Sequence, residues 1–392
     1  MSVEVHSLGC RLNISESEDM RRLLAEADDL VVINSCAVTA EAVRQTRQAI
    51  RRARRARPDA RILVTGCAAE VERAALGAMP EVDGLVANTA KLDPRAWNVP
   101  APRPLTRVRG YTRGFVQVQN GCDHACTFCV IPQGRGPSRS RTIDEALTDV
   151  AVHLEAGVHE VVLTGVDLTS WGHDLDGQPG LGQLCEAILA RFPDLARLRL
   201  SSIDGAEVDA RLFELLAAEP RVMPHVHLSL QHGHDLILKR MKRRHSRADA
   251  LALVGGLRAR RPEIAIGADL IAGFPTEDEE AHAANLSIVA ELGIVHGHVF
   301  PFSARPGTPA ARMPQLDPAT VKTRARALRD AVSKERSRWL ASQVGQPLWV
   351  LAEKDGTGHA PNFARVRLPE GTVPGTLACL TPVTVIEGIL QA

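Results

Sequence analysis

Six of the eight cysteines fall into two groups of three, and this pattern constrains the chain more than any other feature. One group is compact, with the spacing C-x3-C-x2-C: Cys122, Cys126 and Cys129. The other group is dispersed, and each member follows a short apolar run: Cys10, Cys36 and Cys67. Three thiolates on one loop can bind three irons of a cubane cluster and leave the fourth iron open to another ligand. The pattern therefore predicts two iron–sulfur sites in one chain.

Other uses of cysteine fit less well. The segment MSVEVHSLG lacks the basic and then apolar regions of a secretory signal. We therefore expect a cytoplasmic chain in a reducing compartment, where structural disulfides are rare. A structural zinc site takes four ligands, commonly from two C-x2-C pairs, and zinc remains the less favoured alternative. We predict that Cys185 and Cys379 are buried apolar residues.

The first hundred residues alternate between strand and helix patterns. Strand-like runs occur at 3–8, 30–34 and 61–66, and helical patterns at about 15–27, 40–56 and 68–78. Repeated units of this length predict a parallel sheet covered by helices, which binds ligands beyond the carboxyl ends of its strands. Each dispersed cysteine comes directly after a strand, so we expect the three to converge at one edge of the sheet.

A second alternating series predicts a full or partial (β/α) barrel, with its chemistry at the carboxyl ends of the strands. Its strand-like runs lie at 115–120, 160–166, 195–202, 225–231, 264–274 and 296–302, and the compact cysteine loop follows the first. From about Gln343, short β runs predict a small antiparallel β module. The fold class is thus α/β, with domains predicted at 1–97, 108–338 and 343–392 and a Pro- and Arg-rich linker at 97–110. No apolar run approaches the ~20 residues of a membrane span, so we expect no membrane partner.

Arginine is clustered although the net charge is only +1. Between Arg44 and Arg61 the chain has eight arginines and one acid. Four of them share one face of the predicted helix: Arg44, Arg47, Arg51 and Arg55. A solvated surface helix is the plain alternative, but this density favours contact with a nucleic-acid phosphate backbone. Three arginines after the compact cysteine loop are likewise predicted to contact RNA phosphate rather than only to form a basic surface loop: Arg135, Arg139 and Arg141.

An open iron on the compact loop can bind S-adenosylmethionine, whose reductive cleavage gives a 5′-deoxyadenosyl radical. Electron carriers of the ferredoxin kind normally use four cysteines, so a three-cysteine loop with Phe128 before its last cysteine favours the radical chemistry. Gly165, Gly273 and Glu277 are candidates to shape the pocket for S-adenosylmethionine, and ordinary β-to-α turns explain them equally well. We assign no catalytic residue from the sequence.

Other polar residues near predicted strand ends are weaker candidates. Three carboxylates are candidates to bind a ribose or the substrate: Asp167, Asp204 and Asp269. Two histidine pairs each share a strand face: His225 with His227, and His296 with His298. Such pairs can ligate a metal, but packed or surface histidines are the commoner explanation.

The chain resembles the radical S-adenosylmethionine methylthiotransferases over nearly its whole length. The resemblance rests on LGCRLNISESE, INSCAVTAEAVRQTRQ, VTGC, VQNGCDHACTFCVIPQGRGPSRSR, VVLTGVDLTSWGHDL, ADLIAGFPTEDEE and HVFPFSARPGTPAARM. It implies that the compact cysteines bind the radical [4Fe-4S] cluster and the dispersed cysteines an auxiliary [4Fe-4S] cluster. It also implies that the last β module is similar to an RNA-binding TRAM domain.

Within that family, CAVTAEAVRQTRQAIRRARRARPDARILVTGC and SARPGTPAARMP are most similar to the branch that acts on N6-threonylcarbamoyladenosine in tRNA. The resemblance implies 2-methylthiolation of that nucleoside at tRNA position 37, using two molecules of S-adenosylmethionine, an external one-electron reductant and a sulfur donor. The alternative substrates are isopentenyladenosine in tRNA and an aspartate of ribosomal protein S12. A non-enzymatic iron–sulfur or zinc RNA-binding protein is the alternative from a different class.

Overall fold

The computed structural model describes residues 3–99 and 112–392. Residues 100–110 of the predicted linker lie outside these described residues. The predicted α/β class is confirmed, with parallel sheets in the first two thirds of the chain and a mainly antiparallel sheet at its end. Within the described ranges, none of the helices combines the length and the apolar character needed to cross a membrane.

The amino-terminal unit is a four-stranded parallel sheet with strands in sequence order. Its strands are β1 (Glu4–Ser7), β2 (Leu30–Ser35), β3 (Arg61–Gly66) and β4 (Gly84–Leu85). Its helices are α1 (Arg11–Leu23), α2 (Ala40–Ala56), α3 (Cys67–Val71) and α4 (Arg73–Gly77). The apolar face of α2 is buried, including Val43, Ile50 and Ala53, because the sheet covers it on that side.

Two helices in this unit differ from the sequence prediction, and the first of them runs from Arg11 to Leu23 rather than over 15–27. Helix α1 begins at Arg11, directly after Cys10, because residues of its first turn such as Leu12 and Asn13 are already buried. The helix predicted at 68–78 is interrupted at Glu72, whose backbone (φ −121°, ψ 34°) leaves the helical region and separates α3 from α4.

The central unit is a partial barrel of six parallel strands. The strands of this unit and the small hairpin near its start are β5 (Arg113–Gln117), β6 (Gln119–Asn120), β7 (Arg139–Ser140), β8 (Glu160–Thr164), β9 (Arg197–Leu200), β10 (His225–Gln231), β11 (Ala265–Ala272) and β12 (Ile294–Pro301). Strands β5, β8 and β9 form one parallel sheet and β10, β11 and β12 another, and single parallel bridges join the two. The barrel is therefore open between β5 and β12.

Helices cover the outside of the barrel. They are α6 (Ile143–Glu155), α7 (Leu181–Arg191), α8 (Ala210–Ala218), α9 (Asp235–Arg240), α10 (Arg247–Arg260), α11 (Glu279–Glu291) and α12 (Pro318–Gln343). The short helix α5 (Ile131–Arg135) instead packs on α3 of the amino-terminal unit. Full capping boxes begin α6 at Thr142 and α10 at Ser246, which fixes where these helices start. The main apolar core lies between the strands and this helical layer.

The carboxyl-terminal module is a six-stranded sheet with the order β16-β13-β14-β15-β18-β17. Its strands are β13 (Leu348–Ala352), β14 (Thr357–His359), β15 (Arg365–Arg367), β16 (Leu377–Leu380), β17 (Thr384–Ile386) and β18 (Ile389–Gln391). The sheet is antiparallel except for the parallel pair β15–β18. Cys185 is buried as predicted, but the prediction for Cys379 is wrong: it is exposed because β16 is an edge strand.

The module docks on the barrel through Phe363, whose ring meets cations from two parts of the chain. The guanidinium groups of Arg11, Arg113 and Arg199 lie 5.2, 5.6 and 4.8 Å from the ring centroid. Arg197 of the barrel donates to the backbone carbonyls of Trp349 and His359 in the module. These contacts fix the module against the amino-terminal ends of the barrel strands.

Candidate functional site

Both cysteine groups line one cavity of about 300 Å³. The cavity lies beyond the carboxyl ends of strands from the first sheet and from the barrel, as the sequence predicted. Its cysteine lining comprises Cys10, Cys36, Cys67, Cys122, Cys126 and Cys129. The two groups therefore face a common space.

The dispersed cysteines are positioned by tight β-to-α turns. Cys10 is the N-cap residue of α1, Cys36 follows β2, and Cys67 is the first residue of α3. Gly9 has a φ of +95°, and a Cβ there would lie 2.8 Å from the sulfur of Cys36. Only glycine suits this position, since it combines a left-handed backbone with close approach to a neighbouring thiol.

The compact cysteines lie on the loop between β6 and α5, where N–H groups point at their sulfurs. The backbone N–H of His124 donates to Cys122 Sγ at 3.5 Å, and that of Ile131 donates to Cys129 Sγ at 3.4 Å. The guanidinium of Arg243 donates to Cys126 Sγ at 3.7 Å. Hydrogen bonds to sulfur stabilise thiolate and tune the potential of a bound cluster.

The two groups approach each other through Gly134 and Asn88. A Cβ on Gly134 would lie 3.1 Å from the Cβ of Cys67, so the end of the compact loop packs directly on the dispersed group. The side-chain amide of Asn88 donates to Cys67 Sγ at 3.9 Å and to the carbonyl of Gly134 at 2.5 Å. An added Cβ at position 134 would therefore require Cys67 to shift by about a few tenths of an ångström.

Burial dominates the titration of the thiols in the absence of metal. It raises the pKa of Cys36 to about 11 and that of Cys129 to about 12, and it also raises the pKa values of Cys67 and Cys122. The positive charge of Arg135 opposes this effect at Cys36 and Cys67. Neutral thiols are poor ligands, so metal binding here must release protons.

The donor set fits iron–sulfur clusters better than zinc. Within residues 3–99 and 112–392, no three cysteine sulfurs lie within 4.8 Å of one another. Zinc at roughly 2.3 Å from each thiolate would bring its sulfurs closer than this. Three thiols around an open cavity, with N–H donors aimed at the sulfurs, suit a larger cluster with one free metal position.

Gly165 lines the cavity, whereas Gly273 and Glu277 are not among its lining residues. A Cβ on Gly165 would lie 2.8 Å from Gln119 Oε1. Glu277 is buried and accepts hydrogen bonds from the backbone N–H groups of Gly273 (2.8 Å) and Phe274 (3.2 Å) and from Arg324 (3.2 Å). These hydrogen bonds close the turn after β11, and a role of Gly273 and Glu277 in the pocket for S-adenosylmethionine stays a prediction.

The three candidate carboxylates all line the cavity: Asp167, Asp204 and Asp269. The sequence analysis missed His124, which lies 2.9 Å from Asp167 and 3.8 Å from Glu207. Hydrogen bonds to these two carboxylates raise the pKa of His124 to about 10. The sequence analysis also missed Arg243, whose guanidinium donates to Asp204 Oδ2 at 2.8 Å. The position of His124 inside the compact cysteine motif was the only signal for it.

Most of the arginines predicted to share one face of α2 already have carboxylate partners. Arg44 pairs with Glu41 at 2.6 Å, Arg47 with Glu72 at 2.7 Å and Arg51 with Glu81 at 3.7 Å. Arg55 is exposed and has no carboxylate partner among the described residues. Three of these four arginines must therefore break an ion pair with a carboxylate before they can bind a phosphate.

The arginines after the compact loop differ from one another. Arg135 is only 2% exposed and donates to Glu16 and Asn13, so its burial does not fit the predicted contact with RNA phosphate. Arg141 is half-buried and pairs with Asp149. Among the described residues, the exposed Arg139 donates only to backbone carbonyls, which leaves its charge available.

A second basic surface lies on α12. Its exposed face has three cations spaced by one and two turns, without carboxylate partners in the described part of the chain: Lys322, Arg326 and Arg329. Lys322 and Arg329 line a second cavity of about 370 Å³, which shares Phe302 with the cysteine cavity. This basic face therefore begins beside the cysteine cavity.

Comparison with known families agrees with this geometry. The Radical SAM superfamily matches residues 116–286, which contain the compact cysteines and four of the six barrel strands in full. The Uncharacterized protein family UPF0004 matches residues 2–87, which contain the dispersed cysteines. A radical S-adenosylmethionine methyltransferase, TsrM from Kitasatospora setae, solved with cobalamin and a [4Fe-4S] cluster, has a similar fold: TM-score 0.55, 18% identity, 72% of this chain and 66% of that one. The fold and the compact cysteine loop thus define a radical S-adenosylmethionine enzyme.

Relatives of known name narrow the class further. The Threonylcarbamoyladenosine tRNA methylthiotransferase MtaB of Rickettsia prowazekii is 42% identical over 99% of this chain and 96% of its own length. A tRNA-2-methylthio-N(6)-dimethylallyladenosine synthase of Cereibacter sphaeroides is 33% identical over 90% of this chain and 87% of its own length. The chain belongs to the radical S-adenosylmethionine methylthiotransferase family, a group of transferases that use S-adenosylmethionine and a [4Fe-4S] cluster.

Proposed function

We propose that the protein converts N6-threonylcarbamoyladenosine at position 37 of tRNA to its 2-methylthio derivative. The observation that carries the proposal is the single cavity lined by both cysteine groups, which allows two clusters to face one base. The choice of substrate is supported by the 42% identity to a relative named for threonylcarbamoyladenosine, against 33% to one named for dimethylallyladenosine. Modification of dimethylallyladenosine remains the second candidate.

We assign one [4Fe-4S] cluster to Cys122, Cys126 and Cys129 and a second to Cys10, Cys36 and Cys67. When bound, the clusters and two molecules of S-adenosylmethionine supply radical cleavage at one site and a methylated sulfur at the other. An aromatic C–H has no readily ionised proton, which is why acid–base groups of the protein alone would not suffice.

The side chains around the cavity exclude water and hold charge. Phe128, Phe300 and Phe302 line the cavity and give it apolar walls. Arg243 contacts both Cys126 and Asp204, so it places positive charge between a cluster ligand and a carboxylate. Asp167, paired with His124, lies 3.4 Å from Cys122 Sγ and is placed to bind a polar group of the cofactor next to that cysteine.

The partners proposed are tRNA, an external one-electron reductant and a sulfur donor, acting in the cytoplasm. Arg55 and Arg139 are exposed cations without an acid partner among the described residues, and we assign them phosphate contacts. Arg44, Arg47, Arg51 and Arg141 would contribute only after release of their carboxylates.

The proposal is tested by anaerobic reconstitution with iron and sulfide, followed by dithionite, S-adenosylmethionine and tRNA. Two tRNAs are compared, one bearing threonylcarbamoyladenosine and one bearing dimethylallyladenosine, and the digested nucleosides are analysed by mass spectrometry. The expected result is the 2-methylthio derivative of the first nucleoside only. Formation of 5′-deoxyadenosine without a modified nucleoside in either tRNA would reject the tRNA substrate and leave the radical chemistry intact.

A further inference from the structure

Asp269, His227 and His298 form a polar cluster on β10, β11 and β12, and Asp269 lines the cysteine cavity. His227 Nε2 and His298 Nδ1 both lie 3.1 Å from the same oxygen, Asp269 Oδ1. Burial alone would raise the pKa of Asp269, but hydrogen bonds from the two histidines hold that pKa well below its usual range. The other oxygen, Oδ2, receives no hydrogen bond from the described residues. An anionic carboxylate with one free oxygen therefore lies at the wall of the cavity.

The neighbouring histidine pair has a different environment. The ring centroids of His225 and His296 lie 5.0 and 5.8 Å from that of Phe363 in the carboxyl-terminal module, and His296 also lies 5.1 Å from Trp339 of α12. His225 shares a face of β10 with His227, and His296 shares a face of β12 with His298. Only the first member of each pair, His225 or His296, is packed against the carboxyl-terminal module. In contrast, the side chain of His298 is 64% exposed on β12, the edge strand of the open barrel.

His298 has one ring nitrogen left for a ligand. Its Nδ1 is engaged by Asp269, so only Nε2 can bind another group. With Nδ1 donating to Asp269, a ligand carboxylate at Nε2 accepts a hydrogen bond from the ring form that carries a proton on both nitrogens. His227 has no such freedom, because its Nδ1 faces Gly267, where a Cβ would lie 2.4 Å away.

We propose that Asp269 and His298 bind the N6 substituent of the target adenosine, with Asp269 Oδ2 accepting from its urea N–H and His298 Nε2 binding its terminal carboxylate. The proposal rests on the proposed function, since it takes the threonylcarbamoyl group as the ligand. It explains how the site selects an anionic substituent over an apolar one: a dimethylallyl group offers neither the N–H for the free oxygen of Asp269 nor the carboxylate for His298. His227 acts as a positioning residue, because its Nε2 bonds Asp269 and its Nδ1 faces Gly267.

The test uses equilibrium binding of an anticodon stem–loop RNA to the reconstituted protein. The RNA bears threonylcarbamoyladenosine as the free acid, as its uncharged methyl ester, or unmodified adenosine. Wild-type protein should bind the acid about tenfold more tightly than the ester, since one charge-assisted hydrogen bond is lost. His298→Ala should bind acid and ester equally, and His298→Lys should restore the preference because it returns a cationic donor.

Two further variants complete the comparison. Asp269→Ala should weaken binding of both acid and ester, by about tenfold, towards that of unmodified adenosine, because both retain the urea N–H. His159→Ala is the matched control, since His159 is an exposed histidine just before β8, remote from Asp269. This control should keep the full preference for the acid.

Retention of the acid preference in His298→Ala, or its absence in the wild type, would overturn the proposal. Loss of the preference after treatment with a chelator would also overturn it, because a metal ion held by the same three side chains would then supply the charge. If the wild type prefers the acid but yields no methylthio nucleoside, the proposed function fails while the binding site stands.

Discussion

Arg135 and Glu16 form a buried ion pair, with Nη1 and Oε1 2.8 Å apart, although 119 positions separate them in the sequence. Arg135 ends the short helix after the compact cysteines, and Glu16 lies on the helix that begins after Cys10. Lys91 shares the same carboxylate at 2.5 Å. Burial alone would raise the pKa of Glu16, but these two cations lower it. One anionic carboxylate therefore fixes the separation of the two cysteine groups.

Glu16→Gln should destabilise the protein severely. It leaves Arg135 and Lys91 as two buried cations without a compensating charge, and breaking a buried pair costs about 3–5 kcal/mol. We expect a loss of that size in the free energy of unfolding, measured by urea denaturation. Glu41→Gln removes an exposed carboxylate that also pairs with arginine and should change stability by less than about 1 kcal/mol. Equal effects of the two substitutions would contradict the structural role of Glu16.

Single cysteine substitutions should separate the two clusters. Cys126→Ala is expected to halve the iron content, from about eight atoms to about four, and to abolish formation of 5′-deoxyadenosine. Cys36→Ala should also halve the iron content but keep cleavage of S-adenosylmethionine, and it should yield no methylthio nucleoside. Iron analysis and product analysis of the reconstituted variants measure both effects.

Cys379→Ala serves as the control for these variants, because Cys379 is exposed and remote from the cavity lining. It should keep the full iron content and activity. Wild-type protein that binds zinc stoichiometrically and no iron would refute both cluster assignments.

Low pH should lower the free energy of unfolding partly through protonation of Glu160. This carboxylate is fully buried, and Arg199, Arg113 and Arg197 lower its pKa to about 2 despite the opposing effect of burial. Because the pKa is lower in the folded state, the stabilisation is complete above the unfolded value of 4.5 and is lost as the pH falls towards 2. A shift of this size corresponds to about 3 kcal/mol.

The measurement compares urea unfolding of wild type and Glu160→Gln between pH 7 and pH 3. The difference in their free energies of unfolding should be constant above about pH 5 and shrink below it, because only the wild type loses a charge there. A difference independent of pH would show that the pKa of Glu160 is the same in the folded and the unfolded protein, which would contradict this prediction. The comparison between variants cancels acid effects common to both.

Local sequence patterns predicted much of the fold, whereas the features that they missed depend on long-range contacts. Strand β3 and helix α2 have the predicted boundaries, and the dispersed cysteines converge because parallel strands present their carboxyl ends at one edge. The burial of Arg135 depends on Glu16, which no local spacing reveals. Likewise, nothing in the sequence distinguishes His296 from His298, since the difference comes from packing against the carboxyl-terminal module.

The turn at Gly273 shows a different limit of prediction from the sequence. The sequence left two interpretations of Gly273 and Glu277 open, because a glycine-led turn after a strand has the same composition whether it binds a ligand or closes on itself. The structure adds a contact that this composition does not reveal: Arg324 of α12 covers Glu277 from a distant part of the chain.

The two basic helices should differ in their contribution to tRNA binding. On α12, the triple substitution of Lys322, Arg326 and Arg329 by Ala should reduce the slope of log affinity against log salt by about 2 to 3, since each unpaired cation that meets a phosphate contributes roughly 0.9. The matched triple substitution of Arg44, Arg47 and Arg51 on α2 should reduce it by less than about 1, because these arginines already have carboxylate partners. Filter binding at several salt concentrations gives both slopes. A larger change from the α2 substitutions would show that tRNA displaces those carboxylates, and it would make α2 the main phosphate-binding surface.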